Sequence, residues 1–295
     1  MGVDSHTLRL FCESRKYGLS FESTMMIGRQ NYHELEASDL CRALNIESNE
    51  ASALLEKQYI EPLLVRLGAT RIESLDYSPH EQATNIHDLN EPIPEHLIGS
   101  FSCVFDGGAT EHVFNFPQAI KNCMEMVAIG GHFLGVTVAN NFMGHGFYQF
   151  SPELFYRIFS PENGYAVEDM LLCETMRGAP WYHVEDPKIL GRRVELINMR
   201  PTFIMIVARR VSNEKIFKTM PQQSDYVSAW GKAKEEVLSP PSGLPTLRAR
   251  SVRSLAVRLL PRFIKQPLKR LKRKMTGSEE ALQEKTFQSD AYRRV

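Results

Sequence analysis

The sequence predicts an α/β protein: a doubly wound, mostly parallel sheet with a helical insertion and a basic C-terminal tail. Three observations lead there. Short apolar runs of strand length alternate with segments whose apolar residues recur at helical spacing. Four successive runs end in Gly28, Asp76, Asp88 and Asp106, which places turn-forming and acidic residues where parallel sheets open a ligand crevice. Short apolar strands set between helices predict a parallel sheet covered on both faces.

Taken in order, residues 1–20 read as an amphipathic or irregular lead-in, and STMMIGRQ (23–30) as a first strand ending at Gly28. From Glu34 to Leu67 leucines recur among charged residues in a helical pattern that Gly68 terminates. TRIESLDYS (70–78) is a second strand ending in Asp76. NIHDLNEPIPEHL (85–97) is a third, ending at Asp88 before two prolines. FSCVFDGG is the fourth, a helix follows over Phe116–Ile129, Gly130–Gly131 closes it, and HFLGVTVANN (132–141) is the fifth strand. Ser151–Phe159 suggests a helix with Ser151 as cap and Pro152 at its first position. RPTFIMIVARR (200–210) is a late apolar strand. Met124, Met126, Met170, Met176, Met199 and Met205 read as core filler.

The domain expectation is an α/β domain over 1–212 with its insertion at about 34–67, a linker and extension over 213–245, and the tail over 246–295. With 43% hydrophobic and 24% charged residues, the 295-residue chain has a globular composition. No run approaches the roughly 18 apolar residues of a membrane span. MGVDSHTLRLFCESRK lacks the apolar core of a secretory signal, and His6 breaks the myristoylation pattern. The five cysteines show no C-x-x-C pairing, which points to reduced thiols and away from a zinc or disulfide framework. Cytoplasm is the expected compartment, with peripheral membrane contact through the tail, and no metal site is expected.

At this point the sequence resembles a known family. FSCVFDGGATEHVFNFPQAIKNCMEMVAIGGHFLGVTVANN is similar to the fourth strand, following helix and fifth strand of class I S-adenosylmethionine-dependent methyltransferases. Glu111-His112-Val113 and Gly130-Gly131 stand at the family's characteristic positions. SLDYS resembles the second strand, whose terminal acid, Asp76 here, binds the cofactor ribose hydroxyls, and IHDLN the third, whose acid, Asp88 here, lies near the adenine. The resemblance implies a Rossmann-like methyltransferase fold and S-adenosylmethionine as cofactor. It implies cofactor contacts from Gly28, Asp76, Asp88, Asp106, Gly107 and Glu111, with Gly107 allowing close backbone approach. The departure is in the first loop, where IGRQNYHE replaces a G-x-G-x-G run and 48 residues separate Gly28 from Asp76. Two readings stay open. Arg29 holds the cofactor carboxylate as a bidentate fork with Gln30 adding a hydrogen bond, or the fold serves as a non-catalytic binding or scaffold protein.

Catalytic candidates follow the fifth strand. In NNFMGHGFYQFSPELF (140–155), His145 lies between two glycines with Tyr148 three residues on, and an imidazole titrates in the range a general base needs. His112 is the third candidate, with helix capping as its structural alternative. Trp181, Tyr182 and His183 follow a Gly-Ala-Pro turn and read either as a rim for stacking an acceptor or as packing. The tail has the sharpest charge bias: Arg248 to Lys274 carries 11 basic residues and no acid, against 24 Lys and Arg and 35 acids in the rest. Interleaved with leucines, it suggests an anionic membrane surface. Poor aromatic interleaving makes nucleic acid the weaker alternative, and docking on the acidic body is the structural one. The expected reaction is methyl transfer to a small-molecule or glycan acceptor, a lipid-linked precursor among the candidates.

Overall fold

The computed structural model describes residues 2–230 and 290–295. The chain divides into two compact units, one of Met1–Val194, Met199–Tyr226 and Phe287–Val295, the other of Glu195–Asn198 and Val227–Thr286. The expected linker and the basic segment 248–274 lie outside the described residues.

The first unit holds one nine-stranded sheet in the order β3-β2-β1-β4-β5-β8-β6-β7-β9. Its strands are β1 (Ser23–Ile27), β2 (Arg71–Asp76), β3 (Asn85–Ile86), β4 (Phe101–Asp106), β5 (Val127–Asn140), β6 (Tyr165–Glu174), β7 (Trp181–Val184), β8 (Thr202–Arg210) and β9 (Tyr292–Arg294). The β3-β2-β1-β4-β5 half is parallel, and each pairing from β5 onward is antiparallel. Seven strands therefore point one way and only β7 and β8 the other. β1 has β2 on one side and β4 on the other, so the chain reverses its winding there and leaves a crevice at the carboxyl ends.

Apolar residues on both faces explain the two-sided cover. Met26, Cys103, Phe105, Leu134 and Val136 pack with Phe11 of α1 (Ser5–Glu13) and with leucines of α2 (Ala37–Leu44) and α4 (Glu61–Arg66). On the opposite face Phe133 stacks on Phe159 at 4.8 Å and Phe116 meets Phe150 at 4.5 Å, beside α5 (Phe116–Met126) and α6 (Pro152–Ile158). Asp4 caps α1 by accepting the Thr7 N–H, so the lead-in is a proper helix. The expected insertion is present as α2, α3 (Ser48–Leu55) and α4, with a capping box between Glu36 and Asp39 opening the first.

Four expectations are corrected. The third strand shrinks to two residues, because Asp88 accepts the Asn90 N–H and side-chain amide and turns the chain, and Pro92 and Pro94 lack ladder donors. The helix after Phe116 ends at Met126, and β5 starts at Val127 and runs through Gly130–Gly131. Phe101 pairs with Val127 there, and Arg210 donates to the carbonyls of Glu125 and Val127 at 3.1 and 2.6 Å, capturing the last helical turn. Finally, Trp181, Tyr182 and His183 are strand β7 and no acceptor rim: Trp181 is fully buried and donates its indole N–H to His6 Nδ1 at 2.9 Å. With Nδ1 accepting, His6 must donate from Nε2 to the Met176 carbonyl. Met176 and Met199 are exposed, unlike the other methionines expected in the core.

Candidate functional site

The crevice edge is built by strand register. Ile27 lies opposite Leu75 on β2 and Asp106 on β4, so Gly28 stands in one row between Asp76 and Gly107. The Gly28 N–H donates to the Leu75 carbonyl at 2.8 Å, and its φ of 69° turns the chain in a way that side chains resist. Gln30 then folds back: its Nε2 donates to the Ile27 carbonyl at 2.7 Å, and the residue is 4% exposed. Its Oε1 is buried without a hydrogen-bond partner. A Cβ on Gly107 would sit 2.5 Å from that oxygen, so Gly107 makes room for a side chain of the protein itself. Asp76, half buried, accepts the Ser78 N–H at 3.2 Å through Oδ1.

The other strand-end residues behave differently from expectation. Arg29 is committed: Nε donates to Glu61 at 2.7 Å, Nη1 to the Glu81 carbonyl at 3.0 Å, and the guanidinium lies 3.9 Å over the Tyr59 ring. Asp106 is 2% exposed and spends its carboxylate on its own turn, accepting from the N–H groups of Gly108 and Ala109 and the Thr110 hydroxyl. Asp88 is held by Asn90, whose two hydrogen bonds lower its pKa below the usual carboxylate range. The three aspartates share one sheet edge; Asp106 uses both carboxylate oxygens within its turn, whereas Asp76 and Asp88 each accept through Oδ1 alone and keep Oδ2 without a hydrogen bond among the described residues.

A second cluster gathers beyond β4. Asp106 pins the turn that carries Glu111 and His112, and the loop after β5 folds over it. The Phe147 N–H donates to the Glu111 carbonyl at 2.9 Å, and a Cβ on Gly146 (φ 66°) would meet that same oxygen at 2.9 Å. The loop can lie this close only with glycine at 146, and closure brings His145 Nε2 to 3.6 Å from Glu111 Oε1. The His112 and His145 rings stand edge to face at 4.8 Å. Glu111 is fully buried, and burial reinforced by the Asp106 charge pushes its carboxyl up to about 8. Burial lowers both imidazoles as well, His145 further through His112. Around neutrality the trio is therefore a largely protonated acid facing two neutral imidazoles, not an ion pair. Tyr148 is turned away, its hydroxyl donating to the Phe114 carbonyl at 2.6 Å.

Thus Glu111, His112 and His145 come together, Gly28, Gln30, Asp76 and Gly107 form a separate row, and Tyr148 and Arg29 serve their own loops. Three site residues were not expected. Thr137, buried with its hydroxyl unpartnered, sits in an apolar strand whose other residues gave no polar signal. Phe114 and Phe147, 74% and 65% exposed, meet edge to face at 5.8 Å beside the cluster.

The sheet order and strand directions define the Rossmann-like fold of class I S-adenosylmethionine-dependent methyltransferases. No protein-family model matches the chain, and no curated protein matches it. Among solved structures, the chain is similar to a branched-chain polyamine synthase mutein from Thermus thermophilus in complex with N4-aminopropylspermidine and 5'-methylthioadenosine. That likeness has 15% identity and a TM-score of 0.36 over 75% of this chain and 60% of the other, so the chain spans about 60% of the synthase's length. It is also similar to the Burkholderia thailandensis 1,6-didemethyltoxoflavin-N1-methyltransferase with bound S-adenosylhomocysteine, at 8% identity and a TM-score of 0.39 over 70% of this chain and 78% of that one. A third likeness is to the CMeT domain of the citrinin polyketide synthase, at 12% identity and a TM-score of 0.38 over 72% and 52% of the two chains.

Proposed function

We propose that the protein is an S-adenosylmethionine-dependent methyltransferase that binds its cofactor at the β1/β4 switch point. The observation that supports this most directly is Gln30 Oε1, a buried acceptor with no partner at the end of β1. Leaving such a group unpaired costs about 1–3 kcal/mol, and a ligand ammonium is a donor that would satisfy it. Asp76, in the same row, suits a pair of vicinal hydroxyls, since a carboxylate accepts from both. Gly28 and Gly107 provide backbone without side chains on either side of Gln30. These residues fit the amino, ribose and methionine parts of the cofactor, with Asp88 and its Asn90 turn toward the adenine. When bound, the cofactor supplies an electrophilic methyl group; the protein's task is to hold the acceptor in line with it.

The acceptor side is assigned to the exposed Phe114 and Phe147, whose rings offer flat apolar surface to a small molecule or a sugar face. The competing reading is a non-catalytic binding protein on the same fold, favoured by the Gln30 side chain occupying part of the space that a glycine loop leaves empty.

Calorimetric titration of the full chain with S-adenosylmethionine and S-adenosylhomocysteine separates the two. The enzyme reading expects both to bind, with affinity reduced roughly 10- to 100-fold by Asp76→Ala, the size of a lost charge-assisted pair. Gln30→Met should weaken binding by a smaller factor. Absence of heat with either ligand at millimolar concentration would leave the scaffold reading standing.

A further inference from the structure

The cluster beyond β4 has chemistry that methyl transfer alone does not call for. Glu111 is fully buried, and neither carboxylate oxygen has a hydrogen-bond partner. His145 Nε2 is likewise buried and unpartnered. Asp106, a second buried acid, holds the same turn, and among the described residues no lysine or arginine forms an ion pair with either acid. Buried carboxylates normally have a counter-charge or full hydrogen bonding. The buried Thr137 hydroxyl lies beside the Glu111 carboxyl without a hydrogen bond of full geometry.

We propose that Glu111, His112 and His145 form a binding site for one divalent transition-metal ion. One ligating atom from each residue lies within 4.8 Å of the others. Ligands about 2.1 Å from a common ion in a tetrahedral set lie about 3.4 Å apart, so the widest pair must close by roughly 1.4 Å. His145, at 31% side-chain exposure on a loop flanked by Gly144 and Gly146, is the member free to move. Glu111 is the fixed member, held by the Asp106-pinned turn and by the Phe147 N–H on its own carbonyl. Two imidazoles with one carboxylate favour an ion between Mn²⁺ and Zn²⁺ over Mg²⁺ or Ca²⁺, which prefer oxygen. Three protein ligands leave coordination positions open on the side where His145 meets solvent. Phe114 and Phe147 flank that side, so an oxygen of the acceptor is the natural further ligand.

The test uses the full chain, stripped with a chelator and titrated with Co²⁺ alone, without cofactor, while visible absorption is followed. One equivalent should bind with d–d bands, and Zn²⁺ should displace it while Mg²⁺ at the same concentration does not. His145→Ala and Glu111→Gln should each weaken uptake at least tenfold, whereas His96→Ala, an exposed control, should not. Zn²⁺ should raise the Tm of the parent and not of His145→Ala, a loop change that leaves the core intact. Failure to take up one equivalent, or equal uptake by both ligand variants, would overturn the site. Either outcome is read without S-adenosylmethionine, so it leaves the methyltransferase assignment to its own titration.

Discussion

Asn122 has no exposed surface, and all of its polar atoms are used. Oδ1 accepts from the Ile93 N–H and the Gln118 side chain, and Nδ2 donates to the carbonyls of Leu89 and Glu91 at 3.1 and 2.8 Å. One α5 side chain thus holds the whole turn that follows Asp88. Asn122→Ala would leave two carbonyls and one N–H without that partner, for a loss of roughly 2–4 kcal/mol. At about 2–4 °C per kcal/mol for a domain of this size, the Tm should fall by several degrees, measurable by thermal unfolding. An unchanged Tm would mean that water replaces the amide fully. The same scale explains why some site residues were legible and others were not. Asp76 and Glu111 announced themselves as acids at the ends of apolar runs. The pairing of Glu111 with His145 was not visible, because a fold, not a spacing, joins residues on different loops, and metal-ligand patterns in sequence rely on spacing. Arg29 looked free for a ligand because nothing in IGRQ reveals Glu61, which arrives with the insertion.

Among elements, β6 carries the polar junction of the antiparallel half. Register shifts between Val167 and Asp169, and Asp169 then accepts from the Tyr17 hydroxyl at 2.7 Å and faces His183 Nδ1 at 2.9 Å. Burial pushes the Asp169 carboxyl up, but the bonds from His183 and Tyr17 outweigh it and the group ends below its ordinary range. A carboxyl depressed in the folded state contributes stability above its unfolded value near 3.9 and loses it as pH falls through the folded one. The urea midpoint should therefore fall on going from pH 6 to a pH below the folded value in the parent, and fall less in Asp169→Asn. Equal drops would show that other carboxylates govern the acid limb. Strands β1, β2, β4 and β8 were readable as short apolar runs. β6 and β7 were not: Asp169 and Glu168 interrupt one, and Gly-Ala-Pro before the other looked like a loop. The α5–β5 boundary was missed because Gly-Gly usually stops a helix, whereas here both glycines lie within the strand, where a Cβ on Gly131 would meet the Ser102 carbonyl at 2.8 Å.

For the molecule as a whole, no described helix is long and apolar enough to cross a membrane. The membrane reading of the basic segment predicts flotation of the protein with anionic vesicles, lost when Arg248–Lys274 are removed. Equal flotation of both forms would dismiss it. That deletion must spare the residues beyond, because β9 pairs Tyr292 with Val184, and Tyr292 and Ala291 are buried. The expectation of one appendage over 246–295 treated these residues as part of a charged tail, since a three-residue strand bearing two arginines has no apolar signature of its own.

The β7–β9 pairing changes what the cationic stretch can be. Because the chain re-enters the sheet after it, the stretch is tethered at two points, like a strap buckled at both ends. A chain break inside it would leave β9 paired with β7, Tyr292 against Val184, so the later fragment keeps that hold on the sheet.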